Sequence, residues 1–423
     1  RVRLHRAVYK RIASRVCCRT KPVDTTGNDR RSRLIAWSVL LNKQLDKAFN
    51  MEFIIEHQNE PAWLAERRHS ALEKFLSMPM PQEREEEWRY TDISKLDLKK
   101  LEIRKPDCVF DSPFAIPLNE ISDDLLKKYF LSMNIKKDKL LLLHEAMFSN
   151  GAFVRIPKDT SADVTIRSTQ GLGNHTIVVL EKNSTLNFID EFVPADKGDL
   201  NTSVVEIYAG EDSTINFFSF QNLLKNVYDF SYKFALAERN ARINWIFGCF
   251  GGRLSRIKME TIFNGEGSSS DCIGTFLGDE SRHIDLTTNV YHNVPNTSNN
   301  ILARGVMKDN STAVHHGLIR IEKPAFKTAS FLESHSLLLS EGAGSNPIPS
   351  LIIENNDVRA THAASVGQID EDKMFYLTSR GISKEDAERL IVEGFFDPVI
   401  RKIPDKGMQE RFKKIIDDTL VKV

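Results

Sequence analysis

One short motif recurs along the middle of this chain: a turn residue, a small or polar pair and an alternating run. "NSTLNF" begins at Asn183, "DSTINF" at Asp212, "NARINW" at Asn240 and a looser "GSSSDC" at Gly267, at spacings of 29, 28 and 27 residues. A near-constant period of this length marks a stacked β architecture, because one coil cannot bury its inward face alone and needs neighbours. Leu186, Ile215 and Ile243 are then expected to line a shared core. Short runs such as "TIVVL", "SVVEIYA" and "KMETIF", set between Gly, Asn and Asp clusters, extend the pattern from about 160 to 365. A β-sandwich would also have short strands, but gives less reason for a fixed period. The expectation is a mainly β chain. Residues 158–368 form a parallel β-helix, between a mixed helical region at 51–157 and a helical region at 369–423. Exposed coil ends invite aggregation, and the flanking helical segments are expected to cap them.

Those flanks carry their own signals. "EPAWLAERRHSALEKFLSM" (60–78) reads as a helix, with Pro61 in its first turn and Leu64, Ala71, Leu72, Phe75 and Leu76 at helical spacing. "EEEWRYTDISKL" (85–96) mixes charges with two aromatics and has no clear period, and "EISDDLLKKYF" suggests a short helix near 120–130. Towards the end, Asp370 is a plausible N-cap and Gly381 a helix stop. Ser383 with Asp386 opens another helix in capping-box fashion. Its predicted apolar stripe is Ala387, Leu390, Ile391 and Phe395, ended by Pro398. A last helix would present Met408, Phe412, Ile415, Ile416 and Leu420. Such a hairpin covers its own core or docks a partner.

The formal net charge of zero hides an asymmetry: residues 1–50 hold 13 Lys/Arg against 3 Asp/Glu, and the remainder 45 against 55. An acidic body does not suit a phosphate backbone, so nucleic acid is not expected as a partner. The basic arm is read as an extension, disordered or not native to the working protein. It could also serve as a transit peptide or an RNA-binding tail. Its longest apolar run, "LIAWSVLL", is shorter than the ~20 residues a bilayer needs, and no membrane partner is expected. Cys108, Cys249 and Cys272, beyond the arm's Cys17 and Cys18, are widely spaced and make no disulfide framework. A reducing, cytoplasmic compartment fits, or a plastid if the arm is a transit peptide.

No phosphate loop, GxGxxG, GxSxG or HExxH motif occurs, so nucleotide hydrolysis by this chain alone is not expected. His315 and His316 in "VHHG" should point to opposite faces of a strand and cannot chelate one ion. Cys272 reads first as a small buried hydrophobe and second as a ligand. His335 in "ESHSLLL" reads as a turn or surface residue. His362, among the small residues of "RATHAASVGQID", is either a corner residue or a ligand, since neutral imidazole binds iron or zinc well.

Two separated segments, "PAWLAERRHSALEKFLSMPMP…EEEWRYTDISKL" and "RATHAASVGQIDEDKMFYLTSRGISKEDAERLIVEGF", resemble the SufB/SufD family, and the resemblance covers about residues 51–423. It implies a right-handed parallel β-helix with helical flanks, serving in iron–sulfur cluster assembly. "AASVGQID" after the histidine resembles the SufD branch, and "ASFLESHSLLLSEGAG" lacks the cysteine of SufB-type chains. In two places the chain departs from the SufD pattern: Ala360 stands where many SufD chains have a cysteine, and "IPSLII" (348–353) replaces "KPQLEI".

The resemblance implies a non-catalytic scaffold subunit that pairs with a SufB-like subunit through the β-helix. ATP hydrolysis would come from a SufC-like ABC-type ATPase docked on the C-terminal helices. Leu390, Ile391, Phe395, Phe396, Pro398 and Phe412 are the docking candidates. His362 becomes the candidate ligand at a cluster site shared across the subunit interface, with Cys272 and His335 behind it. No cofactor is expected on the chain alone, a transient cluster is expected at the interface, and no motif bears on a flavin. The alternatives are a SufB-like homodimeric scaffold and, more distantly, a β-helix enzyme acting on polysaccharide, which would need a carboxylate-lined groove.

Overall fold

The computed structural model describes residues 60–133, 135–403 and 406–420, without the side chains of 408, 415, 419 and 420. Residues 1–50, read above as a basic extension, lie outside the described residues. So do the side chains of Met408, Ile415 and Leu420 from the last predicted stripe.

Sixteen consecutive strands build a stacked parallel β-solenoid with two strands per coil. One sheet contains β4 (Ser161–Thr169), β6 (Thr185–Val193), β8 (Thr214–Gln221), β10 (Arg242–Cys249), β12 (Ser269–Gly278), β14 (Ser298–Met307), β16 (Thr328–Leu338) and β18 (Val358–Gln368). The facing sheet contains β3 (Asn150–Ile156), β5 (Leu172–Leu180), β7 (Leu200–Ala209), β9 (Tyr228–Ala237), β11 (Leu254–Phe263), β13 (His283–His292), β15 (Thr312–Ile321) and β17 (Gly344–Ile353).

The repeat explains the stacking. Leu186 pairs with Ile215, Ile215 with Ile243 and Ile243 with Ser270, so the four motifs lie in register. Their first residues sit at one corner with left-handed backbone: Asn183 at φ 57°, Asp212 at 58°, Asn240 at 56° and Gly267 at 77°. Asn, Asp and Gly tolerate that conformation at least cost. The motif asparagines form a ladder outside the core. Asn187 Nδ2 donates to Asp163 Oδ1 (2.7 Å), Asn216 to Asn187 (2.8 Å) and Asn244 to Asn216 (2.7 Å).

The N-terminal end is closed by strands of opposite direction. β1 (Cys108–Phe110) pairs antiparallel with β4, and β2 (Ala115–Pro117) antiparallel with β3. Helices α1 (Ala62–Ser77), α2 (Asp123–Tyr129) and α3 (Lys139–Met147) belong to this region. Within α1, Ala71, Leu72 and Phe75 are buried, but Leu76 is 43% exposed and leaves the predicted stripe. The aperiodic segment 85–96 is a strap laid on the second sheet. Trp88 is buried with the Arg256 guanidinium 4.0 Å above its ring, and the Thr91 hydroxyl donates to Asp285 (2.7 Å).

The C-terminal helices are α4 (Glu371–Ser379), α5 (Lys384–Ile400) and α6 (Lys406–Leu420). Asp370 caps α4 by accepting from the Asp372 and Lys373 amides, Gly381 has φ +88°, and the Ser383 hydroxyl accepts from the Asp386 amide (3.0 Å). Three expectations are corrected here. Helices α5 and α6 do not cap the end of the solenoid; they lie along its flank. Val392, Phe396, Val399, Phe412 and Ile416 pack there on outward Phe218, Ile246, Ile273 and Val306. The buried stripe of α5 is therefore rotated from the predicted one: Ala387 is buried, Leu390 is 44% exposed, and Ile391 and Phe395 are half-buried. Nor does Pro398 end α5, which continues to Ile400. Burial of Val399 and Ile400 holds the last turn against the ~3 kcal/mol that an interior proline costs.

Candidate functional site

The strand register places His362 where its own segment could not. Val164, Phe188, Phe217, Trp245, Cys272, Ile301 and Leu332 are successive partners in one column, and His362 is its last member. Every member from Val164 to Leu332 is buried; His362 is exposed, because among the described residues no further coil lies above it. The imidazole thus occupies an inward position at the open mouth of the core. The neighbouring column runs Leu186, Ile215, Ile243, Ser270, Asn299, Ser330 and Ala360, changing from apolar to small and polar as it approaches the mouth.

The three sequence candidates are not brought together. Cys272 lies three coils below His362, about 14 Å at one strand spacing per coil, beneath Ile301 and Leu332. Burial pushes its thiol up to about 12, so it is held as the neutral thiol. His335 has the opposite parity, on the outer face beside Arg304. Its Nδ1 is 2.8 Å from Ser365 Oγ, and its Nε2 is 3.5 Å from Glu333. Among the described residues no three His, Cys, Asp or Glu side chains converge as a metal site.

Among the described residues, two unpaired strand edges frame His362. β17 and β18 are the last strands of their sheets, and Ile352, Ile353, Val366 and nearby Phe331 are 40–43% exposed. Pro347 and Pro349 remove two amide donors from β17, and proline is tolerated on edges for that reason.

The docking candidates divide. Phe396 and Phe412 are buried on the flank, with the Phe412 ring edge-on to Phe250 at 5.1 Å and Phe396 at 5.7 Å. Leu390 and Pro398 stay exposed, Ile391 and Phe395 half-exposed. Helix α4 adds Phe375, 73% exposed, and Tyr376, 55% exposed. The sequence reading missed these two, although a helix without a buried face following "RATHAASVGQID" was their signal.

A cleft of about 770 Å³ lies on the outer face of the second sheet, lined in part by Glu87, Lys136, Arg256, Lys258, Glu260 and His316. Its cations are matched to carboxylates: Lys136 to Glu87 (2.7 Å), Lys258 to Glu260 (3.1 Å), Arg256 to Asp285. His316 faces this cleft while His315 points into the core, bonded to Ser334 and Thr288, so the pair does occupy opposite faces. With its carboxylates largely engaged, the cleft is a weak counterpart of a catalytic groove.

The comparisons with known proteins agree with this architecture. Residues 164–395 match the family model "SUF system FeS cluster assembly, SufBD core domain". The chain is similar to the iron–sulfur cluster assembly protein SufD of Bacillus subtilis, at 28% identity over 88% of this chain and 97% of that one. It is also similar to an iron–sulfur cluster assembly SufBD family protein of Staphylococcus haemolyticus, at 25% identity over 83% of this chain and 88% of that one. No described helix is long and apolar enough to cross a membrane. A stacked parallel β-solenoid, a matched core domain and relatives spanning nearly the whole chain make this protein a member of the SufBD family of the SUF iron–sulfur cluster assembly system.

Proposed function

We propose that this chain is a non-catalytic, SufD-like subunit of a cluster-assembly scaffold, and that it joins a SufB-like subunit through the open end of its solenoid. The observation that carries this reading is the column that ends on exposed His362 between two unpaired strand edges. A second solenoid docked there would pair the edges and cover Ile352, Ile353 and Val366. It would also turn the mouth of two cores into an enclosed site. Clusters prefer thiolate ligands, though histidine replaces some of them. This chain would contribute one imidazole, His362, to a nascent cluster whose thiolates come from the partner.

Energy would come from a SufC-like ATPase docked on the α4–α5 surface around Phe375, Tyr376, Leu390 and Ile391. Nucleotide-driven pairing of two such ATPases would then shift the geometry of the solenoid interface. Native mass spectrometry of this chain co-expressed with SufB-like and SufC-like subunits tests the assembly. One copy of this chain, one SufB-like and two SufC-like subunits is the expected composition. A homodimer that takes up iron and sulfide by itself would instead favour the SufB-like alternative. Crosslinks across the β18 edge that do not change with nucleotide would sink the coupling.

A further inference from the structure

A buried row of titratable groups at the closed end has no part in that assembly. Glu206 on β7 is fully buried, and its Oε1 is 2.9 Å from His175 Nε2. His175 Nδ1 is 3.0 Å from His144 Nε2, and His144 Nδ1 is 3.2 Å from Thr202 Oγ1. The same carboxyl holds the chain between α2 and α3. It accepts from the Leu131 amide (2.6 Å) and from the Tyr208 hydroxyl (3.0 Å), which also lies 2.5 Å from the Tyr129 carbonyl and 2.7 Å from the exposed Ser132 hydroxyl.

The charges packed around the row are committed elsewhere. Arg67 from α1 and Lys137 before α3 both close on Glu145, at 2.6 and 2.7 Å, and Arg67 also donates to the Leu131 carbonyl (2.9 Å). Arg68 donates to the Ala146 and Phe148 carbonyls and stacks on the Phe148 ring. Phe130 and Phe148 flank the His175 ring on the apolar side. Burial therefore keeps both imidazoles neutral, His175 pushed down to about 3 and His144 well below its ordinary value, and lifts Glu206 to about 8.

Each hydrogen bond in such a row carries one proton, so its direction is fixed by the group at its end. With Glu206 protonated, its hydroxyl donates to His175 Nε2, His175 Nδ1–H donates to His144 Nε2, and His144 Nδ1–H donates to Thr202 Oγ1. With Glu206 ionised the order reverses: Thr202 O–H donates to His144 Nδ1, His144 Nε2–H to His175 Nδ1, and His175 Nε2–H to the carboxylate. Thr202 Oγ1 accepts from the Gly173 amide (2.9 Å) in both states. We propose that Glu206, His175 and His144 form a proton-linked switch, in which loss of one proton from Glu206 to solvent reverses both imidazole tautomers and leaves a buried carboxylate that opening of residues 129–132 would hydrate.

The sign follows from the raised carboxyl. The neutral form's contribution is whole below the ordinary carboxyl range and is lost as pH rises through about 8. Opening of residues 129–132 should thus become about tenfold easier per pH unit up to that point and level off above it.

The test uses the full chain. Nitrogen-15 NMR of its imidazoles follows the tautomers from pH 6 to 9.5, and amide exchange, corrected for its intrinsic pH dependence, follows Leu131. The expected results are exchanged Nδ1 and Nε2 protonation on His144 and His175 with a midpoint near 8, and Leu131 protection that falls up to that midpoint. Glu206→Gln should remove both effects. Tyr208→Phe, which retains the carboxyl but deletes a donor to its anion, should move the midpoint upward. Tautomers that stay constant across the range, or protection as pH-dependent in Glu206→Gln as in the wild type, would overturn the proposal. If Glu206→Gln fails to fold, a midpoint unmoved by Tyr208→Phe would overturn it as well.

Discussion

The two ends of the solenoid solve the same physical problem differently. At the N-terminal end the chain covers its own edges: β1 and β2 reverse direction against β4 and β3. At the C-terminal end the helices that could have covered β17 and β18 lie along the flank instead, on Phe218, Ile246 and Val306. A closed end stabilises the chain itself. Among the described residues the other end leaves its parallel strands unpaired, trimmed by two prolines and carrying an exposed histidine at the mouth of the core, and these are the edges that the proposed partner would pair.

The largest expected effect separates the two ends directly. Phe153→Ala removes a buried aromatic of β3 beside the antiparallel β2 and should lower stability by about 3–5 kcal/mol in urea unfolding. Phe331→Ala, at a side chain 41% exposed beside the open end, should change the isolated chain by less than about 0.5 kcal/mol. Equal losses would mean that the open end is as closed energetically as the other. On the flank, Phe412→Ala should cost about 3–5 kcal/mol while Leu390→Ala costs little. Only the latter is then a clean probe of the proposed ATPase docking.

The flank also shows how far the chain could be read without coordinates. The period near 28 residues located the stacked strands, and the left-handed Asn and Asp corners account for it. The α5 stripe misled, because that helix is apolar at Leu390, Ile391 and Phe395 as well as at Val392, Phe396 and Val399. What selects the second set is a patch on the sheet. "INFFSF" and "INWIFG" are apolar on both parities, Phe217 and Trp245 inward, Phe218 and Ile246 outward. Strands covered on both faces read as unbroken apolar runs, and these runs announced a covered flank. His362 was legible only as an isolated histidine. Its place above Leu332 depends on register accumulated over seven strand pairings, which local sequence does not contain.

Smaller effects distinguish the ends by pH. His315, under the open end, and His292 are buried and pushed down to about 4. Their contribution is whole above the ordinary imidazole range and lost as pH falls towards about 4. Unfolding midpoints should therefore drop on acidification, and His315→Asn should flatten that slope. On the alkaline side the loss should be confined to the closed end, where Glu206 titrates. Smaller again, Asn216→Ala breaks two links of the outer ladder and should cost about 1 kcal/mol at neutral pH.

The smallest stability effect is the most informative. Leu332 and His362 are consecutive members of one column, paired in register. Leu332 has a coil above it, and Leu332→Ala should cost about 2–5 kcal/mol. His362 has none, and His362→Ala should leave unfolding within about 0.5 kcal/mol of the wild type. A residue that does nothing for the isolated fold yet terminates its core column is under no structural constraint to be histidine. If cluster formation by the assembled complex falls with His362→Ala while the complex still forms, the imidazole acts on the cargo. If the complex itself is lost, His362 is a packing residue of the interface, and the ligands must come from the partner alone.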